Sequence, residues 1–182
     1  MNSYYFSANS KDVRYSVSLA LSELLGGAKP VICCIGTDAV AGDSLGPLIG
    51  TMLGGKLFGK SYIYGTLDKP ITAKDVVYLN SYLKYAHNES KILAIDAAVG
   101  NYEEVGYIKL FDSSLKPGLG VKKDLMAIGD VSIIGIVGSK SDKNSLLSVR
   151  LSSVYALAGA ISDGIVDYFD KIYNKNDKKT AL

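Results

Sequence analysis

The stretch "VICCIGTDAVAGDSLGP" (residues 31–47) opens on five apolar residues, Val31 to Ile35, and runs directly into glycines and aspartates. A short apolar run ended by turn residues predicts a buried strand. The next residues, "SLGPLIGTMLGGKL" (44–57), predict a helix with Pro47 in its first turn, where a missing N–H is harmless. Gly54-Gly55 offers that helix an early stop.

Working outward, Val13, Val17, Ala20, Leu21 and Leu24 recur at three- and four-residue steps between about residues 11 and 25, and Gly26-Gly27 ends the pattern, so a helix precedes the strand. "SYIYGT" (61–66) predicts a second strand, and Thr72 is placed to cap a helix carrying Val76, Leu79, Leu83 and Ala86 on one face. "KILAIDAAVG" (91–100) repeats the first theme: an apolar strand, Ile92 to Ile95, ending at Asp96 and a small-residue turn. Two further strands fall at 106–111 and 130–138. A final helix is predicted from Asn144 to Tyr173, its buried stripe formed by Leu147, Leu151, Val154, Ala158, Ile161, Ile165 and Phe169, followed by a polar, fraying tail over 174–182. Apolar strands alternating with amphipathic helices imply an α/β fold, a three-layer sandwich around a mostly parallel sheet. The length and the 48% hydrophobic content suit one domain spanning 1–182.

The net charge is only +2, and the basic residues are scattered lysines apart from Arg14 and Arg150, which gives no sign of a nucleic-acid surface. Cys33 and Cys34 are adjacent, so on a strand they point to opposite faces and read as core thiols of a reduced, cytoplasmic protein. The first residues lack the layout of a secretory signal, and no apolar run reaches the roughly 18 residues of a membrane span.

In a parallel sheet, ligands bind where the loops converge at the carboxyl ends of the strands. Asp38 and Asp43 lie in the loop leaving the first buried strand, and Asp96 ends another, so all three are candidates for one crevice. Two close carboxylates repel, which raises one pKa and leaves a protonated acid beside an ionised base able to activate water. The same pair could hold a divalent cation. Asp43 also reads as a cap for the following helix, Asp38 as a turn residue and Asp96 as a loop anchor. In "LKPGLGVKKDL" (115–125), glycines beside lysines suit either an anion or carbonyl site or a solvated loop. His87, the single histidine, reads as a surface residue; without a second histidine a His-rich metal site is impossible, and with none suitably placed for the loop serines a Ser-His-Asp triad is disfavoured.

The motifs "GTDAVAGDSLGP", "YGTLDKPI", "AIDAAVG", "KPGLGVKKDL" with "IGDVSIIGIVG", and "LLSVRLSSVYALAGAISDGI" together resemble the YyaC family of sporulation proteins of endospore-forming bacteria, over about residues 28–167. More distantly the pattern is similar to the spore germination protease, an aspartic endopeptidase acting on small acid-soluble spore proteins, and to the hydrogenase maturation proteases. That resemblance implies a phosphorylase/hydrolase-like fold. It also implies a catalytic pair, Asp43 in "DSLGP" and Asp96 in "IDA", with Gly118, Gly120 and Lys122 bordering the cleft. Gly36 and Asp38 complete the candidate substrate-binding set. The maturation proteases carry a histidine in a comparable loop, which this sequence lacks, so nickel recognition is not implied.

The resulting expectation is a cytoplasmic protein of the mother cell or forespore, resembling an aspartic-type peptidase. It needs no cofactor or resident metal, engages a protein or peptide substrate rather than nucleic acid or membrane, and has the option of homo-oligomers. The competing expectation is a non-catalytic protein that binds a peptide or a cation in the same crevice.

Overall fold

The structure is a computed structural model that describes residues 2–117 and 126–180, with side chains as far as Asn174. In chain order the elements are β1 (Ser3–Ser7), α1 (Val13–Leu25), β2 (Val31–Cys34), α2 (Leu45–Lys56), β3 (Ile63–Tyr64), α3 (Val76–Ala86), β4 (Ile92–Gly100), β5 (Tyr107–Phe111), β6 (Val131–Ser139), α4 (Ser145–Ser148) and α5 (Leu151–Thr180). The strands form one six-stranded sheet in the order β1-β5-β6-β4-β2-β3. Only the pairs made by β5 are antiparallel, so five strands share a direction and β5 runs against them.

Helices cover both faces. Leu21 of α1, Ile49 of α2 and Ile161 of α5 join Ile32, Cys34 and Ile95 in the larger core, while Val76, Leu79 and Leu83 of α3 pack with Cys33, Ile35 and Ala94 on the opposite face. The adjacent cysteines therefore do point opposite ways. Both are buried, and burial pushes the Cys33 thiol up to about 12. The mixed α/β architecture with a mostly parallel sheet agrees with the alternating pattern of the sequence. No helix among the described residues is long and apolar enough to cross a membrane.

Several elements depart from expectation. The strand β1 was not anticipated; its Tyr4 and Phe6 pack on the larger core and Tyr5 turns the other way, the two-residue period of a strand. β4 does not end at Asp96. It continues to Gly100, because β6 is equally long and pairs with it throughout, a register shift between Ala98 and Val99 absorbing the mismatch. β3 shrinks to two residues. Thr72 does not cap α3: its amide and hydroxyl bind the carboxylate of Asp75, which holds the N-cap position. Ala86 faces solvent rather than joining α3's buried side.

The final helix is two helices. Val149 is extended and separates α4 from α5, which turns Leu147 and Leu151 out to 67% and 55% exposure instead of into the stripe. From Val154 onward the stripe is buried as the periodicity predicts, and the helical backbone continues to Thr180. Helix α2 likewise runs through Gly54-Gly55 to Lys56.

What sets α2 on the sheet is Gly46. A Cβ there would stand 2.1 Å from the Ile35 carbonyl oxygen, far inside contact distance, whereas a Cβ at Gly54 in the same helix meets nothing within 4 Å. Identical substitutions should therefore have opposite signs. Gly46→Ala is expected to destabilise by about 2 kcal/mol or more, since backbone must move. Gly54→Ala should stabilise by about 0.5–1 kcal/mol by restricting the unfolded chain and raising helix propensity. Urea midpoints of the two variants at constant m-value check both; a stable Gly46→Ala protein would disprove the contact.

Candidate active site

β2, β4 and β6 point their carboxyl ends to the same edge of the sheet, and the chain leaves β2 and β4 in opposite directions. From β2 it crosses through α2 to β3 on one side; from β4 it passes to β5 and then β6 on the other. The crevice between the ends of β2 and β4 is thus the switch point at which open α/β sheets hold ligands.

The loop leaving β2 is held by backbone bonds. Ile35 N–H donates to the Ile95 carbonyl (2.8 Å), Gly36 N–H to the Ile71 carbonyl (2.9 Å) and Thr37 N–H to the Asp43 carbonyl (3.1 Å). The last bond folds the loop back on itself. Gly36, at φ 143°, makes this possible: a Cβ there would lie 2.0 Å from the Asp43 carbonyl oxygen. The chain then forms a 3-10 turn, Gly42–Ser44, which rests against β4 and α4. Gly42 fits because a Cβ would come within 2.8 Å of the Leu146 backbone.

Asp43 sits in that turn, half-buried. Burial pushes its carboxyl above the ordinary aspartate range, opposed in part by the Thr37 N–H. The capping role foreseen for it does not materialise, since Ser44 occupies the N-cap position of α2 and turns its hydroxyl back to the Ala41 carbonyl (2.7 Å).

Asp96 lies inside β4, opposite Ile134 of β6, and is 7% exposed. It follows Ile95, the residue whose carbonyl receives Ile35 N–H, so it stands level with the point where the loop departs from β2. One carboxylate oxygen accepts the Ala97 N–H at 2.8 Å. Its backbone pairs with Ile134 of β6 on one side, and on the other the β2 ladder ends one residue earlier, at Ile95.

Of the other candidates, Gly36 belongs to the loop wall just described. Asp38 is exposed in a turn whose Thr37 hydroxyl accepts the Ala39 N–H. Gly118, Gly120 and Lys122 lie outside the described residues. Leu115 and Ile128, which flank that segment, exchange backbone hydrogen bonds of 3.0 and 2.9 Å and are buried with Ala94 on the α3 side. No group of three or more His, Cys, Asp or Glu side chains among the described residues is arranged to hold a metal ion.

Two features escaped the sequence reading. The carbonyl of Ile71 braces Gly36, a role detectable only once "YGTLDKPI" is known to run alongside β2. His87 is not a plain surface residue: its Nε2 pairs with the Tyr64 hydroxyl at 2.8 Å, and Tyr62 and Tyr82 flank its ring. The signal was the tyrosine content of the neighbouring segments, which composition alone could not assign to one cluster.

The family described as "Protein of unknown function (DUF1256)" matches residues 4–164 of this chain. The chain is also 35% identical over 161 residues to the protein named "Uncharacterized protein YyaC" of Bacillus subtilis (strain 168), covering 87% of this chain and 78% of that one. The family match runs from β1 into α5 and takes in both Asp43 and Asp96. The chain therefore belongs to the YyaC family, the one its motifs resemble.

Proposed function

We propose that the crevice between β2 and β4 hydrolyses a peptide bond of a protein substrate, with Asp43 and Asp96 as its acid and base. The observation that carries this reading is the pairing of environments: a half-buried Asp43, its proton affinity raised by burial, in a turn packed on the strand that carries the buried Asp96. Unequal surroundings are what separate two carboxyls into acid and base.

In this reading one of the two carboxyls enters ionised and takes a proton from the attacking water, while the other, protonated, polarises the scissile carbonyl or assists the departing amine. The water oxygen bonds to the carbonyl carbon, the C–N bond breaks, and the amine leaves with a proton. The resemblance to the germination protease supports a sporulation role with small acid-soluble spore proteins as substrates, and the distant hydrolase-like fold belongs to the same proposal. The non-catalytic alternative keeps the crevice but predicts saturable binding without turnover.

A cleavage time course on purified small acid-soluble spore proteins, followed by intact mass with and without chelator, tests the proposal. Wild type is expected to yield discrete fragments, and Asp43→Asn and Asp96→Asn each to slow their release by about 10²-fold or more. A folded wild type that binds these proteins but leaves them intact would favour the binding alternative, and a variant cutting at the wild-type rate would remove that aspartate from the mechanism.

The raised affinity of Asp43 has a separate consequence for stability. The folded state holds this proton more tightly than the unfolded chain, so folding stability falls as pH rises from the ordinary aspartate range through the folded-state value. Asp43→Asn removes that loss. It should raise the urea midpoint at pH 7, and the gain should shrink as pH drops to about 4. An equal gain at both pH values would contradict a desolvated carboxylate.

A further inference from the structure

We infer that α4 and the first turns of α5 form a docking platform for an acidic segment with apolar side chains, carried by the protein that the crevice engages. The inference rests on the crevice reading above, and it names what that protein must present close to the aspartates.

Helices α4 and α5 meet at Val149, whose extended backbone (φ -63°, ψ 141°) ends one helix before the other begins. The joint leaves three apolar side chains in the open within residues 147–155: Leu147, Leu151 and Tyr155, the last 59% exposed. A single exposed apolar residue is ordinary, whereas a group of them marks a place where something binds. Leu147 and Leu151 are the only leucines among the described residues that stand more than half exposed. Leu151 and Tyr155 lie one helical turn apart on the same side of α5.

The platform is continuous with the crevice. A Cβ on Gly42 would lie 2.8 Å from the Leu146 Cα, so the 3-10 turn that carries Asp43 sits on the backbone of α4, and it touches α5 as well. Leu147 follows Leu146 directly. A chain that crosses Asp43 in extended form advances about 3.3 Å per residue, so its next few residues pass over the leucines.

The charges around these side chains select the occupant. Residues 140–155 hold one acid, Asp142, and it is engaged internally: one oxygen accepts the Asn144 N–H at 2.8 Å and the other the Ser148 hydroxyl at 3.0 Å, which ties the loop leaving β6 to the end of α4. Of the cations in the same stretch, Lys140 lies near Glu104, but Lys143 and Arg150 are exposed and enter no ion pair among the described residues. Even with Asp38, the exposed acid of the neighbouring loop, set against them, these two leave the face positive. Apolar side chains flanked by unpaired cations match a segment whose own apolar side chains are flanked by carboxylates, and they repel a basic one.

The experiment titrates the full chain into three dye-labelled peptides, followed by fluorescence anisotropy: leucines spaced by glutamates, leucines spaced by lysines, and serines spaced by glutamates. Wild type is expected to bind the first about tenfold or more tightly than either of the others. Leu147→Ser/Leu151→Ser and Lys143→Glu/Arg150→Glu should each lose that preference without a lower thermal midpoint, because all four side chains are exposed. Asp43→Asn should bind as wild type does. A wild type that does not prefer the first peptide, or a preference that survives both double variants, would overturn the inference. Should the serine variant fail to fold, the charge reversal decides alone. On small acid-soluble spore proteins the serine variant should raise KM at unchanged kcat. Cleavage with an unchanged KM would remove the platform and leave the peptidase standing, and selective peptide binding without any cleavage would do the reverse.

Discussion

The contact on which the rest of the structure depends is the seating of α2 against the end of β2. A helix normally stands off from a sheet by the thickness of its side chains. Here Gly46 lets the helix backbone press directly on the Ile35 carbonyl, and Gly36 lets the preceding loop fold onto the Asp43 carbonyl. With both approaches so close, the loop between Ile35 and Leu45 has little room. It must double back, form its 3-10 turn and lie on β4. The partial burial of Asp43 follows from this backbone constraint, and its raised proton affinity follows from the burial.

The parallel core of the fold was legible because its signals were local. Val31 to Ile35 formed the longest early apolar run, α1 had a clean periodicity, and the cysteines alternated as a strand requires. The misreadings came where a partner strand or a packed surface overrode local preference. "DAAVG" looks like a turn in isolation, yet paired with β6 it is strand. Leu147 and Leu151 fit a helical stripe on paper, and the extended backbone of Val149 breaks the phase between them and Val154. β1 carried a two-residue pattern of aromatic and serine residues too short to stand out without β5 beside it.

For the candidate site, sequence spacing could bring Asp43, Asp96 and Gly36 to one edge of the sheet but could not distinguish a cap from a buried carboxyl. That distinction depends on which residue occupies the first turn of α2, and the 3-10 turn shifts the cap by one position to Ser44. The two aspartates also differ in mechanical setting. Asp96 rides on a strand paired at that position with β6, while Asp43 rides on a turn held by the Thr37 bond and by packing. In the proposed peptidase this would pair a carboxyl on a strand with one on a turn.

The carboxyl of Asp43 is also not what shapes its turn. The geometry is set by Thr37 N–H to the Asp43 carbonyl, Asp43 N–H to the Val40 carbonyl at 3.0 Å, and the hydroxyls of Thr37 and Ser44 on neighbouring backbone. All of these bonds would persist with an uncharged side chain at position 43. The carboxyl is thus partly desolvated, with the Thr37 N–H as partial compensation, while backbone and hydroxyl groups do the work of the fold. A group that costs stability where it stands, and whose position is defined without it, is not explained by the turn, and that is the ground on which the proposed peptidase counts it as a working carboxyl.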